Sequence, residues 1–343
     1  MREFTHGGDV VNFAKKIDSS IEDIIDLSSN INFIKPKIDV DFNSLKIDSY
    51  PNYEEQICLI AKRYGVDSCN IELFNGATVA IDSLFKELAT YHTKVCTIYS
   101  PAYLEYKRVA LKYGFKIEHI NRFDDLDKEP SNGSIVVFVN PSTPDGEFYD
   151  IKPFLEIWES RGCRVIVDES FLEFCNGDSA VKYIESFKNL YIVKSLTKYY
   201  ACAGVRVGVV VSNKDTIQRL SSKEPLWKIS SFDSAYIISA LKDNSFDKRS
   251  KLANNSSKEY LTKILKSSHI IKKIYPTQAN FILSKLKIEA SKLQSFLEPY
   301  KIMVRDCSNF DFLDSYHIRV AIKDIKDLRV FAKALDDISS KST

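Results

Sequence analysis

The chain has 343 residues, of which 44% are apolar and 27% charged, and its formal net charge is +2. This composition is typical of a globular protein with one large and one smaller domain, and the near-neutral charge argues against nucleic acid or an anionic membrane as the main partner. The sequence contains no apolar run of about eighteen residues and no N-terminal signal segment. Its seven cysteines do not show the spacing of metal ligands. We therefore expect a cytoplasmic protein with free thiols and without a metal centre.

The middle of the chain alternates strand and helix patterns. Short apolar, β-branched runs predict strands at Lys94–Tyr99, Ser134–Asn140, Arg164–Asp168, Leu190–Val193 and Val205–Ser212. Amphipathic segments between several of them predict helices at Val79–Tyr91, Tyr103–Tyr113 and Lys152–Arg161. Fully apolar strands separated by helices indicate an α/β fold with a mixed, mostly parallel sheet covered on both faces. Ligands of such folds bind where the strands end.

The last hundred residues differ in pattern and predict a smaller α+β domain. Helical patterns cover Ser234–Leu265 and Glu289–Tyr300, and strand patterns cover Ala279–Leu283, Ile302–Arg305 and Tyr316–Ile322. We therefore expect a large domain over residues 41–235 and a small C-terminal domain over residues 236–343. Residues 1–40 are expected to form an N-terminal segment that packs on the small domain.

The segment Ser195–Gly208, SLTKYYACAGVRVG, follows a predicted strand and carries the sharpest chemical pattern. A lysine that forms an imine needs a lowered pKa, which burial of Lys198 would supply. Arg206 with Ser195 nearby suits a phosphate dianion. A surface position is the simpler explanation for any single lysine, but this ordered set favours a cofactor site.

Asp168 ends the apolar strand in VIVDESF. An aspartate at such a position either caps the next helix or is a buried carboxylate that pairs with a cation. A protonated pyridine nitrogen is such a cation, and a carboxylate beside it makes the ring an electron sink.

The order Asp168, Ser195-x-x-Lys198, Gly204-x-Arg206-x-Gly208 resembles the fold-type-I enzymes of the class I/II aminotransferase family. The resemblance covers nearly the whole chain. It implies the aspartate-aminotransferase-like fold, pyridoxal 5′-phosphate (PLP) as cofactor, and a homodimer with shared active sites. Lys198, Asp168 and Tyr103 are then the catalytic candidates, with Tyr103 stacking on the cofactor ring.

The resemblance also implies further cofactor contacts. Tyr50 matches the tyrosine that reaches the cofactor phosphate of the neighbouring subunit. The turn that holds this phosphate at a helix N-terminus is matched by Asn75, Gly76, Ala77 and Thr78.

Two positions depart from the family pattern. Thr143 stands where relatives carry an asparagine that donates to the phenolic oxygen of the cofactor, and Phe171 stands where relatives carry a tyrosine. A threonine hydroxyl can still donate, but from a shorter side chain. Fewer donors to this oxygen should change the pKa of the imine.

The N-terminal motif His6-Gly7-Gly8, with Asp26–Asn32 (DLSSNIN), resembles the threonine-phosphate decarboxylase branch, which is related to the histidinol-phosphate aminotransferases. In that branch the His-Gly-Gly segment contacts the substrate phosphate, and glycines permit close backbone approach. The resemblance assigns Arg305 to the substrate phosphate and Arg319 to the carboxylate. The substrate-binding candidates are thus His6, Gly7, Gly8, Asn32, Arg305 and Arg319. The simpler alternatives are a solvated histidine and structural ion pairs.

The motifs together favour PLP-dependent decarboxylation of an O-phospho-L-amino acid. Threonine phosphate would yield 1-amino-2-propanol phosphate, and serine phosphate would yield ethanolamine phosphate. The alternative is an aminotransferase for a phosphorylated substrate such as histidinol phosphate. A binding or regulatory protein without turnover is disfavoured because Lys198, Asp168 and Arg206 are all present.

Overall fold

A computed structural model describes residues 7–341, and its helices and strands alternate through the middle of the chain as the sequence predicts. The helices are α1 (Val10–Lys16), α2 (Glu54–Tyr64), α3 (Ala77–Leu88), α4 (Leu104–Lys112), α5 (Lys152–Ser160), α6 (Leu196–Tyr199), α7 (Lys214–Ser221), α8 (Ser231–Lys242), α9 (Phe246–Ser267), α10 (Ala290–Leu297) and α11 (Ile325–Lys341). The strands are β1 (Ile25–Asp26), β2 (Ile71–Phe74), β3 (Val95–Ser100), β4 (Lys116–Asn121), β5 (Ile135–Val139), β6 (Arg164–Asp168), β7 (Leu190–Ser195), β8 (Gly208–Val211), β9 (Ile271–Ile274), β10 (Phe281–Leu286), β11 (Ile302–Met303), β12 (Arg305–Asp306) and β13 (His317–Ala321).

The large sheet has the strand order β2-β8-β7-β6-β5-β3-β4. Strands β4, β3, β5, β6 and β7 run parallel, whereas β8 runs antiparallel to both of its neighbours. Successive residues of β5 enter different cores: Val136 and Phe138 pack with α2 and α5, and Val137 packs with α3 and α4. Because both faces are covered, every residue of β5 is buried, which explains its unbroken apolar run. The predicted α/β, mostly parallel architecture is confirmed.

A second sheet, in the order β12-β13-β10-β9, is antiparallel and packs with α9, α10 and α11. The N-terminal segment joins this region, because β1 pairs with β11 and Leu27 lies in the same core. Helix α9 connects the two regions: Phe246 packs in the core of the large sheet, and Leu261 packs in that of the small sheet. The division of the chain at residues 40 and 235 stays a prediction.

Two predicted elements are each broken in the structure. The expected helix Ser234–Leu265 is interrupted between α8 and α9, where the carboxylate of Asp243 accepts hydrogen bonds from the backbone N–H groups of Lys37 and Ser245. A side chain that competes for backbone donors in this way ends a helix. The expected strand Ile302–Arg305 is likewise divided into β11 and β12, which pair with different strands. Within residues 7–341, no helix is both long and apolar enough to cross a membrane.

Candidate active site

A cavity of about 410 Å³ opens where strands β5, β6 and β7 end, between the large sheet and the second sheet. Residues from the N-terminal segment, both sheets and the turn before β8 line it together. The predicted site residues among them are Gly7, Gly8, Ala77, Thr78, Tyr103, Thr143, Asp168, Ser195, Lys198, Arg206, Arg305 and Arg319. Residues separated by up to about 300 positions in the chain therefore converge on one space.

Lys198 lies in α6, the single helical turn that follows β7, and its side chain faces the cavity. Burial lowers the pKa of the amine. The cationic Arg206 and Arg319 lower this pKa further, whereas the carboxylate of Asp168 raises it. The backbone is held from the N-terminal segment, because the N–H of Asn32 donates to the carbonyl of Lys198 at 3.0 Å. An amine with a lowered pKa is a better nucleophile near neutral pH, as imine formation requires.

Asp168 ends β6 and is 4% exposed. Its carboxylate accepts a hydrogen bond from the Tyr106 hydroxyl at 2.9 Å and one from the backbone N–H of Ser170 at 2.8 Å. Burial raises the pKa of Asp168, and these two donors and Lys198 oppose that shift. A buried carboxylate that is held this firmly at a cavity wall can stabilise a cation bound inside.

The other side of the cavity forms a cradle for an anion. The pairing of Gly208 with both Phe74 and Ser195 brings the start of α3, the end of β7 and Arg206 together. A Cβ on Gly76, whose φ is +82°, would lie 2.4 Å from the guanidinium of Arg206. Only glycine permits this close approach, and it leaves the N-terminus of α3 beside a guanidinium, an arrangement that suits a phosphate dianion.

Tyr103 covers the cavity from the start of α4, where its hydroxyl is hydrogen-bonded to Thr78. Burial raises the pKa of Tyr103 to about 12, so the phenol stays neutral through the physiological range. A neutral aromatic ring at this position can stack on a planar ligand.

Arg319 is a buried guanidinium on β13 that hydrogen-bonds to neutral oxygens. Its Nη1 donates to the Thr143 hydroxyl at 3.0 Å, and its Nη2 donates to the carbonyl of Ser28 at 3.1 Å. Its Nε is buried without a hydrogen-bond partner among the described residues, and burial lowers its pKa to about 10. Such a group is stabilised by an anionic ligand.

Arg305 lies directly opposite Arg319, because the two residues are register partners of β12 and β13. Its guanidinium lies over the ring of Phe310, 5.3 Å from the centroid, and donates to Asn309 Oδ1 at 2.6 Å. Burial lowers the pKa of Arg305 as well. Two buried guanidinium groups therefore flank one end of the cavity.

The two glycines of the N-terminal motif complete this end. The N–H of Gly8 donates to the Ser28 hydroxyl at 2.8 Å, and a Cβ on Gly7 would lie 2.5 Å from the Ser28 carbonyl oxygen. Asp26 fixes that loop by accepting hydrogen bonds from the backbone N–H groups of Ser28 and Ser29. The third residue of the motif, His6, lies outside the described residues.

Comparison with known proteins assigns the family. The sequence profile of the class I and II aminotransferases matches residues 25–335. The chain belongs to this family. It is therefore an enzyme of the aminotransferase fold that depends on PLP, as the lysine motif predicted.

Its relatives include a cobalamin-biosynthesis protein and histidinol-phosphate aminotransferases. The chain is 28% identical to the adenosylcobalamin biosynthesis bifunctional protein CobDQ of Leptospira interrogans over 97% of its own length, but it spans only 41% of that protein. It is 27% identical to histidinol-phosphate aminotransferase of Methanocaldococcus jannaschii, over 93% of this chain and 90% of the relative. The crystal structure of L-threonine-O-3-phosphate decarboxylase from Porphyromonas gingivalis shares the fold, with a TM-score of 0.75, 21% identity and coverage of 98% and 97% of the two chains.

The cavity fits the cofactor of the aminotransferase family. Asp168 would hold the protonated pyridine nitrogen, and Lys198 would bind the aldehyde carbon. The phosphate would lie between Arg206, Ser195 and the first turn of α3. When bound, PLP accepts the electrons that are released at the α-carbon of an amino acid substrate.

Three residues predicted for the site lie outside the cavity, namely Asn32, Asn75 and Tyr50. Asn32 is buried outside the cavity, where its amide donates to the Tyr199 carbonyl and to the Ser250 hydroxyl, each at 2.8 Å. The role of Asn32 in substrate binding stays a prediction, whereas Asn30 of the same segment lines the cavity. Asn75 is exposed and donates to the Lys228 carbonyl.

Tyr50 is also outside the cavity of its own chain. It is 73% exposed and stacks on Trp227, with the ring centroids 3.9 Å apart. Its expected contact with a cofactor phosphate stays a prediction that requires a second copy of the chain.

Some site residues were missed in the sequence. Tyr106 is the clearest case: it looks like one more apolar position of an amphipathic helix, and only the fold directs its hydroxyl to Asp168. The other cavity residues without an assigned role from sequence are Ser28, Ser29, Asn30, Ile31, Ile81, Val139, Ser170, Thr197, Ala203 and Phe310.

Proposed function

We propose that the chain is a PLP-dependent decarboxylase that converts O-phospho-L-threonine or O-phospho-L-serine to CO2 and the amino-alcohol phosphate. The observation that carries this proposal is the pair of buried guanidinium groups, Arg305 and Arg319, at one end of the cavity. Arg305 donates to Asn309 Oδ1, and Arg319 donates to the Thr143 hydroxyl and to the Ser28 carbonyl.

The balance of charge in the cavity supports a doubly anionic substrate. Arg206, Arg305 and Arg319 line it, whereas Asp168 is its only lining carboxylate among the described residues. The cofactor phosphate would use Arg206. The other two arginines then suit a carboxylate and a phosphate, the groups that guanidinium ions bind best.

The spacing of these arginines supports a short substrate. Opposed residues of an antiparallel pair have Cβ atoms about 5 Å apart, so their side chains leave the strands at neighbouring points. Two anionic groups that are joined by a few bonds can reach both. In O-phosphoserine and O-phosphothreonine, only the α- and β-carbons and one oxygen separate the carboxylate carbon from phosphorus.

The residues then have the following roles in the reaction. Arg305 holds the substrate phosphate and Arg319 contacts the carboxylate, so together they fix rotation about the bonds of the α-carbon. Fixing this rotation would select which bond of the α-carbon breaks. Lys198 Nζ would deliver a proton to the α-carbon once CO2 has left, and Asp168 would hold the proton on the ring nitrogen. Gly7 and Gly8 line the cavity beside Ser28.

The relatives support both this reaction and one alternative. The similarity to a putative threonine-phosphate decarboxylase, which is 28% identical over 98% of this chain, favours decarboxylation. The second candidate is an aminotransferase that acts on a phosphorylated amino compound, favoured by the similarity to a histidinol-phosphate aminotransferase. In that case, the same arginines would bind the phosphate of the longer substrate.

We also propose a homodimer with shared active sites. Tyr50, Leu226 and Trp227 are each more than half exposed, and large apolar side chains grouped at a surface are typical of an interface. In the family pattern, Tyr50 would reach the cofactor phosphate of the partner subunit. The Tyr50→Phe variant should then weaken cofactor binding without changing the dimer, as measured by equilibrium dialysis and sedimentation.

The deciding experiment is a substrate screen with the holoenzyme. O-phospho-L-threonine, O-phospho-L-serine and histidinol phosphate are incubated separately, and CO2 and the amine products are quantified. We expect CO2 and the matching amino-alcohol phosphate from a phosphoamino acid in the absence of any keto acid. Unphosphorylated threonine is the control and should react poorly. Amino transfer to 2-oxoglutarate without CO2 release would instead establish the aminotransferase alternative.

A further inference from the structure

Helix α6, the single turn that carries Lys198, does not satisfy its own last carbonyls. It is followed by Ala201, whose φ of +53° is a left-handed conformation that is unfavourable for a residue with a Cβ. The carbonyls at the end of a helix receive no donor from the helix itself. The N–H of Cys202, four residues after Lys198, donates to the Thr197 carbonyl, so the carbonyl of Lys198 depends on another segment of the chain.

Asn32 supplies the donors for two consecutive carbonyls of this turn. Its backbone N–H donates to the carbonyl of Lys198 at 3.0 Å, and its side-chain Nδ2 donates to the carbonyl of Tyr199 at 2.8 Å. Asn32 is 3% exposed, so these bonds lie away from bulk water, where a carbonyl that loses its donor is destabilised. The two bonds therefore fix the backbone from which the side chain of Lys198 extends.

The amide of Asn32 is itself held, chiefly by helix α9. Nδ2 also donates to the Ser250 hydroxyl at 2.8 Å, and Oδ1 accepts from Asn254 Nδ2 at 3.0 Å. Oδ1 accepts a second hydrogen bond, from the backbone N–H of Ile34 at 3.1 Å. The amide thus uses both of its donor hydrogens and both of its acceptor positions, which leaves it a single orientation.

The segment that ends at Asn32 also contacts the substrate end of the cavity. The Ser28 carbonyl accepts a hydrogen bond from Arg319 Nη2 at 3.1 Å, and the Ile31 carbonyl accepts one from Lys323 Nζ at 2.8 Å. Both Ser28 and Ile31 line the cavity. A short stretch of backbone, residues 28–32, therefore connects the strand that carries Arg319 with the turn that carries the lysine.

We propose that Asn32 is a positioning residue for Lys198: its backbone N–H and its amide hold the turn so that the lysine amine can form the imine with PLP. Asn32 acts through the backbone of α6, because it does not itself line the cavity. This role rests on the assignment of Lys198 as the cofactor lysine, and it is independent of which substrate reacts and of which bond breaks.

A comparison of two forms of the cofactor tests this role without turnover. PLP can form the imine with Lys198, whereas pyridoxamine 5′-phosphate carries an amine in place of the aldehyde and cannot form it. Asn32→Ala should weaken PLP binding by at least about tenfold and leave the affinity for pyridoxamine 5′-phosphate within about twofold of the wild type. Ser250→Ala, which removes one acceptor of the same amide, should weaken PLP binding severalfold with the same selectivity. Equilibrium dialysis with the full-length chain measures these affinities.

Two controls separate the positioning of Lys198 from a general loss of structure. Asn70 is a buried asparagine outside the cavity, and its Nδ2 donates to the Ser212 carbonyl at 2.9 Å. Asn70→Ala should lower the temperature of thermal unfolding without changing the ratio of the two affinities. In a Lys198→Ala background, which cannot form the imine, Asn32→Ala should not weaken PLP binding any further.

The possible outcomes distinguish this role from the other assignments. Equal weakening of PLP and pyridoxamine 5′-phosphate binding in Asn32→Ala would mean that Asn32 supports the whole cavity, and it would overturn the proposal. Wild-type affinity for PLP in either folded variant, Asn32→Ala or Ser250→Ala, would also overturn it, as would a further loss in the Lys198→Ala background. Unchanged PLP affinity in Lys198→Ala alone would instead overturn the assignment of the cofactor lysine. Thermal unfolding establishes which variants are folded.

Discussion

Arg305 and Arg319 lie opposite each other on neighbouring antiparallel strands, and both side chains reach the same cavity. Like charges at opposed positions normally destabilise a strand pair. Burial lowers the pKa of both guanidinium groups, because it costs free energy to hold two cations together away from water. An anionic ligand between them relieves this cost.

The first prediction concerns these two arginines. Arg305→Gln and Arg319→Gln should each raise the KM for the phosphorylated substrate by about tenfold to a hundredfold, because each removes a charge-assisted hydrogen bond. Arg108→Gln is the matched control, since Arg108 pairs with Glu105 away from the cavity and should leave the KM unchanged. Steady-state kinetics measure both. An unchanged KM in both cavity variants would contradict the proposed binding site.

The second prediction concerns pH and the same pair. Arg319 is cationic below its pKa of about 10 and becomes neutral above it. The affinity of the holoenzyme for inorganic phosphate should therefore fall as the pH rises through about 10, and calorimetry at pH 8 and pH 10.5 would detect the loss. The Arg319→Lys variant retains a charge but not the planar guanidinium, so it should bind phosphate more weakly already at pH 8. A wild-type affinity that stays constant over this interval would contradict the prediction.

The third prediction concerns the hydroxyl that supports Asp168. Tyr106→Phe removes one of its hydrogen-bond donors, so the ionised carboxylate becomes less stable and the pKa of Asp168 rises further. We expect the cofactor to bind about tenfold more weakly. Tyr113→Phe is the control, because Tyr113 ends the same helix and donates instead to Asp82 at 2.9 Å. Equal cofactor affinity in the two variants, measured by equilibrium dialysis, would argue against this role of Tyr106.

The fourth prediction concerns the close approach of Gly76 to Arg206. Gly76→Ala places a Cβ 2.4 Å from the guanidinium and also strains a backbone with positive φ, so it should reduce cofactor affinity by at least about tenfold. Gly65→Ala is matched to it, since Gly65 has a φ of +68° and nothing within 4 Å of the added Cβ. The control should lose stability, by about 1 kcal/mol, but not cofactor affinity. Similar affinity losses in both would show that the contact with Arg206 is unimportant.

The fifth prediction concerns the pKa of Lys198. Burial lowers it below the ordinary value of 10.5, so more of this amine is neutral at any pH below that value. In apoenzyme, an amine-acylating reagent should therefore modify Lys198 faster at pH 8 than it modifies exposed lysines such as Lys152, with peptide mass spectrometry as the readout. Addition of PLP should suppress this reaction. Modification at the rate of an exposed lysine would contradict a lowered pKa.

The sequence by itself determined the cofactor chemistry and the fold class. Asp168, Lys198 and Arg206 were recognisable because each follows or precedes a strand in a fixed order, and strands that are buried on both faces appear as unbroken apolar runs. Local patterns of this kind can be recognised in the sequence without the fold. The break between α8 and α9 could not be predicted in this way, because it depends on Asp243 accepting a hydrogen bond from Lys37, a residue distant in the chain.

The tertiary structure decided which of several neighbouring polar side chains face the cavity. Asn30 and Asn32 are both buried and lie two positions apart, yet only Asn30 lines the cavity, because Tyr199 and Ser250 bind the amide of Asn32. Tyr106 belongs to the site because the packing of α4 over the end of β6 brings its hydroxyl to Asp168. Arg305 and Arg319 became a pair through the register of β12 and β13. These relationships depend on contacts between separate elements of the fold, so no local pattern of residues encodes them.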